Sequence, residues 1–361
     1  MARTCSLCRC FGGFMPSPGP ERTRKHPLRV DLALQGGGAH GAFTWGVLDR
    51  LLEEPDLQLE GISGTSAGAM NAAVLVDGYA RGGAEGARRA LEAFWRKVSR
   101  AAHVSPFRRS PLDVLLGCWT LDHSPMFVTM DILTRLFSPY DLNPSGNNPL
   151  RTILAESIDF AHLADGPIKL FVTATNVRTG RGRVFRNNDL TIDALLASAC
   201  LPGLFQAIEI DGDAYWDGGY AGNPTITPLV RECASSDTIL VQINPIERPG
   251  TPRTARNIHS RLNEVSFNAV LLKELKMIGL LRNTACLGDD ESARWASMRI
   301  HRISSDVLLK LGYSSKLNAE WAFLTMLRDE GRIAAESFLE SHRPDLGRRS
   351  TLDLDALLEG V

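Results

Sequence analysis

Ser63-Gly64-Thr65-Ser66-Ala67-Gly68-Ala69-Met70-Asn71 is the stretch that decides how this chain is read. Ser66 stands two residues from Gly64 and two from Gly68, the G-x-S-x-G spacing of a nucleophile elbow. A serine that attacks a carbonyl must project from a very tight turn between a strand and a helix. Side chains two residues to either side would collide across that turn, so glycine is needed there. Leu57 to Ile62 reads as the strand before the turn, and Ala67 to Val76 as the helix after it. Ser66 then sits at a helix N-terminus, where free N–H groups and the helix dipole favour negative charge. Gly and Ser are common residues, so this spacing also arises by chance, and two other stretches bear on the choice.

The first lies upstream. Leu28 to Gln35 is a strand-like run ending at Gly36-Gly37-Gly38-Ala39-His40-Gly41, and Ala42 to Glu53 follows with a helical pattern through Val47, Leu48, Leu51 and Leu52. The loop has two functional readings. Gly36-x-Gly38-x-x-Gly41 fits a dinucleotide fingerprint, with Asp56 or Glu60 as the ribose ligand. Alternatively, the bared N–H groups stabilise the oxyanion of a tetrahedral intermediate. A plain tight turn is the third reading, but three consecutive glycines carry an entropic cost that a mere turn does not require. A right-handed β-α-β crossover would bring this loop and the elbow to the same edge of a parallel sheet.

The second is Trp216-Asp217-Gly218-Gly219-Tyr220, which follows a hairpin expected around Asp211-Gly212. A serine hydroxyl needs a base. Asp217 qualifies if burial raises its pKa, with Trp216 and Tyr220 as shielding. The alternative is a turn aspartate.

Elsewhere, Asp77 to Gly86 reads as a glycine-rich break before an amphipathic helix, Ala87 to Ala101. Prolines interrupt apolar patches across residues 103–149, which reads as a cap of short helices. Its side chains near Trp119 and Leu116 meet a lipid surface in one reading and pack inward in the other. Further strands are expected at Ile168 to Thr175, Arg183 to Arg186, Thr238 to Asn244 and Met298 to Ile303. Further helices are expected at Asn148 to Asp159, Thr191 to Cys200, 254–287 and Asn318 to Ser341. The fold this implies is α/β, a three-layer α/β/α sandwich with a mostly parallel sheet, a helical cap and a helical C-terminal extension. The segments are 1–27, a disordered extension; 28–245, the catalytic domain, with its cap at about 103–149; and 246–361, a helical extension packed on it.

Net charge is −1, which argues against nucleic acid as a partner. No apolar run reaches the roughly 18 residues of a membrane span, and the N-terminus lacks the apolar stretch of a secretory signal. Seven cysteines make an odd count for a disulfide framework, which fits a reducing, cytoplasmic setting. Cys5, Cys8 and Cys10 cluster without a good fourth metal ligand, since His26 is distant. Met15 is an alternative start.

Together, the loop Gly36 to Gly41, the elbow Gly64 to Gly68 and Asp217-Gly218-Gly219 resemble the patatin-like phospholipase family in order and spacing, over roughly residues 28–245. The resemblance implies a serine acyl hydrolase with a Ser-Asp dyad and no catalytic histidine. Ser66 would be the nucleophile, Asp217 its partner, and Gly36, Gly37 and Gly38 the oxyanion hole. The family commonly has Arg or Lys where this chain has His40, which points to a pH-dependent charge beside the loop. An acyl lipid is the implied substrate, with peripheral membrane contact through the cap. No metal or cofactor is required, and no signal of oligomeric state is present. Competing readings are a Ser-His-Asp triad using His259 or His301, a nucleotide-binding protein, an inactive lipid-binding scaffold and a polyester esterase.

Overall fold

The computed structural model describes residues 27–103, 105, 107–284 and 290–356. The extension expected over 1–27, with its cysteine cluster, lies outside these residues apart from Pro27.

Strand β1 (Leu28–Leu34) alternates strictly: Val30, Leu32 and Leu34 face one core and Ala33 the other. The glycine loop leads into α1 (Gly41–Leu51), β2 (Leu57–Gly64) and α2 (Ala67–Ala102), the expected β-α-β-α start. The break expected over Asp77 to Gly86 shrinks to two residues. Only Gly82 and Gly83 leave helical geometry inside α2, Gly83 with φ +59°. Asp77 belongs to the helix because its carboxylate is buried and held by Arg81 and by His162 Nδ1 at 2.8 Å.

The cap contains three short helices that begin on proline: α3 (Pro111–Leu115), α4 (Pro125–Leu136) and α5 (Pro139–Leu142). Proline suits a first helical position, where its missing N–H is not needed. Ser110 and Ser138 add capping boxes with Asp113 and Asp141. Trp119 packs inward against Phe323, with ring centroids 5.1 Å apart, and lies under Arg109. Of the side chains expected near it at a lipid surface, Trp119 thus packs inward, while Leu116 and its neighbour Leu115 are exposed.

Beyond the cap come α6 (Pro149–Ala155), α7 (Phe160–Ala164), β3 (Lys169–Asn176), β4 (Gly182–Arg186), α8 (Ile192–Ser198), β5 (Ile208–Ile210), β6 (Asp213–Asp217), α9 (Thr227–Glu232) and β7 (Asp237–Val241). The chain continues through α10 (Ala255–Thr284), α11 (Asp290–Ala296), β8 (Arg299–Ile303), α12 (Val307–Lys310) and α13 (Trp321–His342). The segment after 245 also gives the sheet its edge strand β8, where a strand is expected at Met298 to Ile303.

The sheet runs β5-β6-β3-β2-β1-β7-β8, with β4 also on β3. Strands β3, β2, β1, β7 and β8 are parallel, and β4, β5 and β6 join antiparallel. Helices α1, α2 and α13 cover the face of Val30, Leu32 and Leu34, while α9 and α10 cover the face of Ala33, Leu240 and Ile300. This is a three-layer α/β/α arrangement around a mostly parallel sheet.

Strand β3 sets the position of the site. One edge pairs with β4 from Phe171 to Thr175. The other edge is shared: β2 takes Lys169 to Val172, and β6 takes Ala174 to Asn176. Gly64 is therefore opposite Val172, and Asp217 is opposite Ala174, two residues further along the same edge. Among the described residues, no helix is long and apolar enough to cross a membrane.

Candidate active site

The chain leaves β2 at Gly64 and enters α2 at Ala67, with Ser66 between them at φ 54°, ψ −122°. That backbone region is unfavourable for a residue with a side chain and persists only where the surroundings enforce it. Here Gly68 N–H donates to the Thr65 carbonyl at 2.9 Å, and Ser66 N–H donates to Ser198 Oγ at 2.9 Å. A Cβ on Gly64 would lie 2.7 Å from the Gly68 carbonyl carbon, so the two glycines are required against each other. The steric reason for the motif is thus visible in the fold.

Asp217 ends β6 and is 2% exposed. Its N–H donates to Cys200 O at 2.8 Å, Thr175 Oγ1 donates to its carbonyl at 2.7 Å, and Gly219 N–H donates to its Oδ1 at 2.7 Å. Burial pushes its pKa up from 3.8 to about 7, against the opposing pull of the Gly219 bond, the Ser66 hydroxyl and Lys316. Ser66 faces this carboxylate closely enough to lower its proton affinity, although no well-aligned hydrogen bond joins the two side chains. Such contacts often tighten only with substrate in place.

The glycine loop divides its labour. Gly36 N–H donates to Asn223 Oδ1 at 2.6 Å, and Gly36 O accepts from Asn244 Nδ2 at 2.8 Å. Gly36 therefore has no donor to spare, unlike the expectation for all three glycines. The N–H groups of Gly37 and Gly38 have no partner among the described residues. Gly38 adopts φ +58°, and a Cβ there would lie 2.5 Å from the Lys316 carbonyl oxygen.

His40 departs from its expected role. It is buried, its Nε2 is 2.7 Å from Ser315 Oγ, and burial together with Lys316 and Arg248 holds its pKa well below 6.5. It is a neutral packing group rather than a titrating charge. The cation at the loop is Lys316, from the 3-10 turn Tyr313–Leu317, whose ammonium donates to Asn244 Oδ1 at 2.7 Å. No sequence signal marked this lysine or Asn244.

Ser66, Asp217, Gly37, Gly38 and Lys316 line one cavity of about 480 Å³. Its remaining walls are mostly apolar and include Phe94, Trp95, Phe127, Met130 and Phe205. His259 is exposed on α10 and outside this lining. His301, expected at a solvated position, is fully buried in β8 and engaged by Asp237 Oδ1 at 3.0 Å and Thr351 Oγ1 at 3.2 Å. Neither histidine meets Ser66. The acids required by a dinucleotide site are also engaged elsewhere: Asp56 pairs with Arg343, and Glu60 accepts the N–H groups of Ala234 and Ser235. Among the described residues, no three His, Cys, Asp or Glu side chains converge as a metal site.

A serine on a strained strand-to-helix turn, above a mostly parallel sheet and facing an apolar cavity, belongs to the class of serine hydrolases. Residues 32–230, more than half of the chain, match the family model for patatin-like phospholipase. The chain belongs to the patatin-like phospholipase family, whose serine hydrolases act on the ester bonds of acyl lipids. It is 24% identical over 252 residues to the uncharacterized protein YjjU of Escherichia coli (strain K12), a match covering 68% of this chain and 60% of that protein. The chain thus spans about three fifths of that relative's length. VipD from Legionella pneumophila, a crystal structure, aligns over 93% of this chain and 79% of its own at 14% identity, with a TM-score of 0.31.

Proposed function

We propose that this protein hydrolyses acyl lipid esters with Ser66 as nucleophile and Asp217 as its base. The observation that carries this reading is the buried Asp217 carboxylate facing Ser66 in a mostly apolar cavity, with a pKa of about 7. A base poised near neutrality can both accept and return a proton. Ser66 Oγ attacks the ester carbonyl and passes its proton to Asp217. Gly37 and Gly38 N–H bind the resulting oxyanion. The intermediate collapses, and the departing alkoxide takes the proton from Asp217, leaving an acyl-serine. Asp217 then removes a proton from water, and the hydroxide attacks the acyl carbonyl. Ser66 leaves as its alkoxide and recovers the proton, releasing the fatty acid.

The cap supports a lipid surface as the source of substrate. Helix α4 lines the cavity with Phe127, Met130 and Thr134 and exposes Met126, Ile132 and Leu136 on its outer side. Leu115 is 83% exposed and Leu136 71%. An apolar outer surface on a helix that lines the acyl cavity suits docking at a bilayer.

The test is hydrolysis of a chromogenic acyl ester series in chelator by wild type, Ser66→Ala and Asp217→Asn. Activity lost in both variants supports the dyad, and the chain-length profile reports on the acyl group. Retained activity in Asp217→Asn removes Asp217 as the base.

A further inference from the structure

Lys316 is a half-buried cation that forms no salt bridge among the described residues. Its ammonium donates to a neutral amide, Asn244 Oδ1, at 2.7 Å. An ammonium group only donates, so it fixes which end of the Asn244 amide faces it. The Asn244 Nδ2 group must then face the other way, where it donates to Gly36 O at 2.8 Å. In a trans peptide the C=O and the following N–H point in opposite directions. Holding the Gly36 carbonyl toward Asn244 therefore turns the Gly37 N–H, which has no partner among the described residues, to the opposite side of that peptide. Gly37 and Lys316 both line the cavity that holds Ser66.

We propose that Lys316 positions the oxyanion donor Gly37 through Asn244, and that its charge offsets the negative charge formed when Ser66 attacks. This inference rests on the Ser66–Asp217 reading. It makes Lys316 a positioning residue contributed by the C-terminal third of the chain, far from every sequence motif of the site. The backbone of the same turn has a separate role. The Lys316 carbonyl abuts Gly38, and Ser315 Oγ meets His40 at 2.7 Å. That strap depends on residue 316 only through its main chain and survives any change of its side chain. The groups facing the ammonium from neighbouring elements are Asp217 at the end of β6, Glu264 on α10, Arg248 after β7, the Tyr313 ring and neutral His40. Burial brings the Lys316 pKa down from 10.5 to about 8, with Arg248 acting in the same direction and Glu264 and Asp217 against it. The supporting charge is therefore lost as pH rises through about 8.

The experiment measures kcat, KM and full pH profiles on a soluble chromogenic ester for wild type, Lys316→Met, Lys316→Arg and Ser66→Ala. Lys316→Met is expected to lower kcat on the order of 10²-fold with KM little changed, as for loss of oxyanion stabilisation. Wild type is expected to lose activity above about pH 8. Lys316→Arg should keep most of the rate and lose that alkaline limb, because a guanidinium stays charged. An unchanged kcat in Lys316→Met, or an alkaline limb near pH 8 that persists in Lys316→Arg, overturns the proposal. If Lys316→Met does not fold, the Lys316→Arg profile decides alone. Full activity in Ser66→Ala would instead sink the dyad reading, so the two failures are distinguishable.

Discussion

Asparagine at position 217 should produce a protein that is inactive and more stable than wild type above neutral pH. The carboxylate is 2% exposed, and its pKa rises from 3.8 to about 7 on folding, chiefly through burial. A group whose folded pKa is raised stabilises the fold fully below its unfolded pKa and loses that contribution as pH rises through the folded value. The shift of roughly 3 units corresponds to about 4 kcal/mol of destabilisation in the ionised protein. Asparagine keeps the acceptor for Gly219 N–H but carries no charge, so it avoids this cost. The pull of Lys316 is already contained in the value of about 7, and imperfect replacement of the carboxyl by an amide leaves a net gain on the order of 2–4 kcal/mol. Unfolding entropy for a chain of this size is about 0.7–0.8 kcal/mol per degree, so the gain amounts to roughly 3–5 °C. The assay is thermal unfolding of both proteins from pH 4 to pH 9. The melting curves should nearly coincide at pH 4, separate between pH 4 and 7, and stay apart above. A difference independent of pH, or an Asp217→Asn protein less stable than wild type at pH 8, would refute the burial argument and with it the raised pKa of the base.

Asp237 should behave in the opposite sense: Arg299 and His301 hold its carboxyl down at about 2, so its contribution is present above pH 3.8 and disappears as pH falls through about 2. Asp237→Asn is expected to cost about 2 kcal/mol at pH 7 and almost nothing near pH 2, measured by denaturant unfolding. Leu115→Asp with Leu136→Asp should abolish co-flotation with phospholipid vesicles while hydrolysis of a soluble ester stays within about twofold, since each charged side chain opposes partition of an exposed apolar patch. Undiminished flotation would remove the cap as the docking surface.

The parts of the site readable in the sequence are those fixed by short-range sterics. Gly64, Ser66 and Gly68 have to keep their spacing because the turn brings Gly64 against Gly68. The three strand-loop-helix or strand-loop stretches were legible for the same reason, and the strands mostly fell where alternation and β-branching indicated. The roles of individual groups were less legible because they depend on partners distant in the chain. The Gly36 N–H is taken up by Asn223, and His40 is kept neutral by burial, with a lysine 276 residues away acting in the same direction. His301 looks solvated in a polar stretch yet is buried by strand order alone, since β8 borders β7 and meets Asp237 there. The glycine-rich run does mark a break, but one narrowed to Gly82 and Gly83, because the buried, bonded Asp77 belongs to the helical turn before it.

The order in which the chain is made gives the strap at Tyr313–Leu317 a further consequence. A growing polypeptide acquires Ser66 early and Asp217 midway, but the turn that abuts Gly38 and the lysine that orients Asn244 come much later. Until that turn has left the ribosome, the proposed nucleophile and base exist without the lysine proposed to order the Gly36–Gly38 loop. On the proposed mechanism, the site is therefore completed late in synthesis, after strands β1 to β8 have been made.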